Sequence, residues 1–170
     1  MTRTFDDLVA EAESVSVDGR DFSWPDGRAT EQRPSWGYHR LLGERLARVL
    51  QPGGTYLSQQ VGPASVFELV EYFLGPQPEQ VRRARHPDDA VAGAGKARLE
   101  VVDLRAERPR TEFHDIGAVI YFLRKVIWMV PGFTVGQYRD RLRELHERIE
   151  REGPFVAHTA RFLIEARKTG

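Results

Sequence analysis

The five histidines of this chain, His39, His86, His114, His146 and His158, are scattered, with no H-x-x-x-H or other metal-ligand spacing among them. No cysteine is present, which removes disulfides, thiolate metal sites and a cysteine nucleophile. The serines lie in no G-x-S-x-G pattern and no lysine follows a phosphate-loop glycine run. Hydrolase and nucleoside-triphosphatase chemistry are therefore set aside. His114 beside Asp115 could be drawn as a base and its orienting acid, but adjacency at a loop-to-helix junction carries little weight. The glycine-containing candidates for a phosphate or nucleotide cradle are Gly53-Gly54, Gly93-Ala94-Gly95 and Gly132. The first precedes a strand instead of following one, and the second has only the polar DDAVA before it. They read as turn glycines.

The elements that would position any site follow from hydrophobic spacing. Residues 1–13 form a short acidic amphipathic stretch. Residues 16–36 are rich in turn formers and read as a loop that packs through its tryptophans. Tyr38, Leu41, Leu42, Leu46, Val49 and Leu50 recur at helical spacing until Pro52-Gly53-Gly54 ends the pattern. TYLSQQV, 55–61, reads as a strand. Ser65 is placed to cap a helix from Val66 to about Leu74. The punctuated stretch after it holds at most one short helix near Glu79–Ala84. LEVVDLRAE, 99–107, reads as a second strand.

Apolar residues at 116, 119, 120, 123, 126 and 127 predict a helix from Asp115 to about Met129. Thr134 can cap the next helix, whose stripe is Tyr138, Leu142, Leu145 and Ile149, with Glu144–Arg148 and Glu147–Arg151 at ion-pair spacing. Gly153-Pro154 ends it. AHTARFLIEAR alternates through His158, Ala160, Phe162 and Ile164, so it reads as a third strand.

A formal net charge of zero gives no electrostatic reason to expect a nucleic-acid or membrane-surface partner. The most apolar run, 116–130, is interrupted by Arg124 and Lys125 and is too short to span a bilayer. The acids of TFDDL, 4–8, leave no signal-peptide core, so a soluble cytoplasmic protein is expected.

ARVLQPGG, 47–54, running from an amphipathic helix into a strand, resembles the entry to the fifth strand of class I S-adenosylmethionine-dependent methyltransferases, usually R-x-L-[RKQ]-P-G-G. FHDIGAVIYFLRKVIWMVPGFTVGQYRDRL, 113–142, and EGPFVAHTARFLIEARK, 152–168, are similar to the C-terminal part of one bacterial subgroup of that family. GRDFSWPDGRATEQRPSWGYHRLL, 19–42, resembles the subgroup's N-terminal lead-in. The resemblance implies an α/β fold with a shortened Rossmann-like sheet of about three strands, flanking helices and a helical insertion before the last strand. Residues 1–50 would be the lead-in loop and helix, and residues 51–170 the C-terminal half of the domain.

The family's glycine loop, which lets backbone approach the cofactor at a helix N-terminus, is not in this sequence. The lead-in helix joins the pre-fifth-strand helix near Arg48–Leu50, so by resemblance strands one to four are missing. S-adenosylmethionine is thus the implied cofactor, with no cofactor-binding residues to assign. The acceptor would be a small molecule. Carried over from the family's pocket, its candidates are Gln59 and Gln60 at the first strand's end, Asp115, Tyr121, Arg124 and Trp128 on the insertion, and Trp36 and Tyr38 in the lead-in. No catalytic residue is assigned, because methyl transfer from a sulfonium often needs only positioning and loss of one proton. The competing reading is that Tyr121 and Trp128, seven apart, pack in the core, and that Asp115 caps its helix.

If the strands keep the family's arrangement, the last pairs antiparallel between the other two, in a sheet with helices on both faces. The 55–61 strand then has an unpartnered edge. That edge is expected to be covered by residues 1–50, by a second copy, or by an intact methyltransferase partner. A non-catalytic binding or oligomerisation module is the alternative function.

Overall fold

The computed structural model describes residues 3–16 and 48–169. The lead-in loop and most of its helix, including Trp36 and Tyr38, lie outside the described residues. The chain divides into two compact units.

The first unit gathers the N-terminal helix with Val66–Gln77 and Arg110–His158. Helix α1, Phe5–Ser14, opens with a capping box: the Asp7 N–H donates to Thr4 Oγ1, and the Thr4 N–H donates to Asp7 Oδ2. Its Phe5, Leu8, Val9 and Ala12 are buried. Helix α2, Phe67–Leu74, adds Leu69 and Phe73. The insertion helix, here named α5, Ile116–Lys125, buries Ile116, Val119, Ile120 and Leu123, and α6, Arg139–Glu152, buries Leu142, Leu145 and Ile149. These stripes meet in one core. A two-stranded ladder of β3, Arg110–Phe113, and β4, Phe155–His158, closes it, with Phe113 opposite Phe155.

The second unit holds an antiparallel sheet of β1, Thr55–Val61, β2, Leu99–Glu107, and β5, Arg161–Lys168, in the order β1-β5-β2. The last strand therefore lies between the other two, antiparallel to both. Short helices α3, Glu79–Arg82, and α4, Pro87–Lys96, belong to the same unit. Phe162, Ile164 and Ala166 alternate inward along β5, and Ala94 and Ala97 at the end of α4 pack with Leu99 and Ala166. Helical cover lies on that face. The opposite face carries Arg161, Leu163, Glu165 and Arg167 along β5 and leaves Leu57 62% exposed, and no helix among the described residues of this unit is seen to cover it.

Two strands form where the alternation puts them, at 55–61 and 99–107. The expected single strand over 157–167 is instead split into β4 and β5. At the split the Thr159 N–H donates to the Pro109 carbonyl and the Ala160 N–H to Ser65 Oγ. Pro109, with no N–H to offer a ladder, separates β2 from β3 in the same way. The described residues thus form five strands in two sheets, where about three in one were expected.

Helix α4 is missed by the sequence because Gly93 and Gly95 interrupt it. It has Pro87 at its first position, the ring of His86 accepting from the Asp88 N–H, Asp88 and Asp89 in the first turn and Lys96 in the last. Burial of Ala94 and Ala97 offsets the glycine cost of about 1 kcal/mol each. The insertion helix ends at Lys125, earlier than its apolar pattern suggests, and the chain turns to bury Val130 completely. Thr134 accepts from the Gln137 N–H in the turn preceding α6. The acid met by Arg148 and Arg151 is Glu152, at 3.1 and 2.7 Å. Among the described residues, no helix is long and apolar enough to cross a membrane.

Candidate functional site

Helix α5 and the turn after it build a pocket of about 380 Å³ in the first unit. Leu123, Ile127, Val130 and Phe133 supply apolar wall, Gly132 the turn, and Arg124 the one charged group. Gly132 has φ +74, a left-handed conformation that a glycine adopts without a Cβ penalty. The Arg124 guanidinium donates to the carbonyl of Ala12 on α1, which fixes its position. Leu123 and Val130 are fully buried behind this shallow, mixed polar and apolar lining, which with one placed guanidinium suits a small molecule carrying a hydrogen-bond-accepting head.

Of the sequence-derived candidates, Arg124 lines this pocket. Tyr121, one turn back on α5, is 41% exposed, and Trp128, in the turn beyond the helix, is 62% exposed. The core-packing reading of these two aromatics does not hold, because the helix ends between them. Asp115 is the N-cap of α5: the Ala118 N–H donates to its Oδ1 at 2.8 Å, and Arg3 stands 3.4 Å from its Oδ2. It sits roughly 14 Å along the helix axis from Arg124. Gln59 and Gln60 lie on β1 in the second unit, opposite Leu163 and Phe162.

A Glu68–His158 pair, 90 residues apart, has no local signal in the sequence. The His158 ring Nδ1 lies 2.9 Å from Glu68 Oε1, and the His158 N–H donates to Glu68 Oε2 at 3.2 Å. The adjoining Val66 stands in the left-handed region at φ +61, its N–H bonded to the His158 carbonyl. For a β-branched residue that geometry costs on the order of 1–3 kcal/mol. Ser65, expected to cap α2, is buried and accepts from Ala160 instead, so Val66 takes the cap position without a side-chain bond.

Burial pushes the Glu68 carboxyl up, but hydrogen bonds from its own backbone and from the His158 ring and N–H outweigh it, and the net shift is downward. A depressed carboxyl stabilises the fold above its ordinary value, near 4.5, and that contribution is lost as the pH falls through the lower folded-state value. The Glu68→Gln variant should therefore show a flatter loss of stability on acidification. Urea titrations at neutral pH and below the ordinary glutamate range check this, and equal acid-side losses in both proteins would refute it.

Among the described residues, no group of three or more histidines and carboxylates could hold a metal ion. Gly53, Gly54, Gly93 and Gly95 do not fit an S-adenosylmethionine cradle either. The Gly53 N–H donates to the Lys168 carbonyl and the Gly54 N–H to the Gln51 carbonyl, while Gly93 and Gly95 lie inside α4. None of these forms a loop from a strand end to a helix N-terminus, the geometry that offers free N–H groups to a cofactor.

No family model matches this sequence, and no curated protein matches it. Among solved structures, the chain is similar to a Bacillus halodurans C-125 protein described as a "putative methyltransferase", with 16% sequence identity and a TM-score of 0.46. The match covers 77% of this chain and 58% of that one, so this chain spans less than two thirds of that protein.

Proposed function

We propose that this chain is a shortened relative of the class I methyltransferases, one that holds a small polar-headed molecule at the α5 pocket and has no S-adenosylmethionine site of its own. The observation that carries the reading is the strand order. β5 lies antiparallel between β1 and β2, the arrangement that the sequence resemblance at 47–54, 113–142 and 152–168 implies for the family's last three strands. The helices α5 and α6 fall between β2 and β5, where that resemblance puts the insertion. Residues 51–170 then correspond to the C-terminal half of the family's domain and residues 1–50 to its lead-in. The finer assignment to one bacterial subgroup rests on the sequence resemblance alone.

The spent glycine N–H groups favour a non-catalytic role, that of a binding module in the methyltransferase lineage. A calorimetric titration of the full chain with S-adenosylhomocysteine tests this. The expected result is no heat of binding at millimolar ligand from a protein with native circular dichroism. Micromolar binding would show a cofactor site built without the glycine loop and would overturn the non-catalytic reading.

A further inference from the structure

The two edges of the three-stranded sheet are built differently. On β2 the register shifts between Val101 and Asp103, and the strand carries Glu100, Asp103, Arg105 and Glu107. Bulges and charges of this kind keep an edge from pairing with other chains. β1 has none of these devices: TYLSQQV contains no charge and no proline, and its register against β5 is unbroken. Among the described residues β1 pairs with β5 alone. From this asymmetry we propose that β1 pairs with β1 of a second copy of this chain, joining two sheets into one of six strands across a two-fold axis.

The register follows from which backbone groups are free. The Gly62 N–H bonds to the Ala160 carbonyl and the Lys168 N–H to the Gly54 carbonyl, so even-numbered positions of β1 face β5 with their backbone groups. In an antiparallel ladder the alternate positions turn theirs the other way. Thr55, Leu57, Gln59 and Val61 therefore present N–H and C=O at the open edge. An axis through Ser58 pairs Leu57 with the partner's Gln59 and Thr55 with the partner's Val61, and it satisfies about eight edge groups on each strand at once. Ser58 meets the partner's Ser58 at the close, non-hydrogen-bonded position, where a small side chain fits. Leu57, 62% exposed, gains a cross-strand neighbour. A neutral strand meets its own copy without charge repulsion, whereas a like-charged one would not.

Sedimentation across a concentration series tests this, together with amide hydrogen exchange on the same samples. The full chain is expected to dimerise, and the Leu57 and Gln59 amides to become protected as dimer forms. The double variant L57K/Q59K alters only outward-facing side chains and places like charges across the axis. It should weaken association about tenfold or more with circular dichroism unchanged. A monomer whose Leu57 and Gln59 amides are protected at every concentration would mean the edge is covered from within the chain, and the proposal fails. It fails equally if those amides exchange freely in a monomer, or if the double variant dimerises as well as the parent. The exchange measurement decides the matter on the unmodified chain even if the variant does not fold.

Discussion

The Ile120→Ala variant is expected to lose about 2–5 kcal/mol of stability, while Tyr121→Ala, one residue further on, changes it by no more than about 0.5 kcal/mol. Ile120 is fully buried, in the core that α5 shares with α1, α2 and α6. Removing its outer carbons forfeits their transfer free energy and leaves a cavity between helices that cannot all close on it. Tyr121 points out of the same helix and loses little. For a chain of this size the Ile120 loss corresponds to roughly 5–20 °C in Tm. Thermal and urea unfolding of the two variants check this. Losses of equal size would mean that α5 is rotated from the face described here.

The second large effect is at Arg124. Its guanidinium reaches the backbone carbonyl of Ala12 and so ties α1 to α5. A hydrogen bond from a charged donor is worth about 1.5–3 kcal/mol, and the Arg124→Met variant keeps the aliphatic stem while removing it. The loss should be local. Amides of α1 should exchange faster and the segment before it should be cut sooner by protease, while β1, β2 and β5 keep their protection. Wild-type exchange throughout α1 would show that its apolar face alone holds it. Arg124 also supplies the pocket's charged group, so the same substitution should weaken any ligand with an anionic head.

These effects bear on the α5 pocket, which is built without Gly53, Gly54, Gly93 or Gly95. Gly53 and Gly54 are committed to the turn into β1, and Gly93 and Gly95 to a helix. A binding role for the α5 pocket needs none of them.

Sequence alone determined the elements whose signals are local. The amphipathic stretch at 1–13, the alternation at 55–61 and 99–107, the Asp115 cap and the stripe of α6 are each readable within a few residues, because each satisfies its own backbone groups or presents one apolar face. The resemblance around 47–54 also pointed to the central place of the last strand. The rest depends on contacts between distant parts of the chain. Whether Ser65 caps a helix or bonds to Ala160 depends on a strand 95 residues away, and the Glu68–His158 pair joins residues 90 apart. The split at Thr159 needs the Pro109 carbonyl, and α4 forms despite its two glycines because Ala94 and Ala97 find Leu99 and Ala166. In these cases a contact with a residue far along the chain completes the local structure, and no short window of sequence contains that partner.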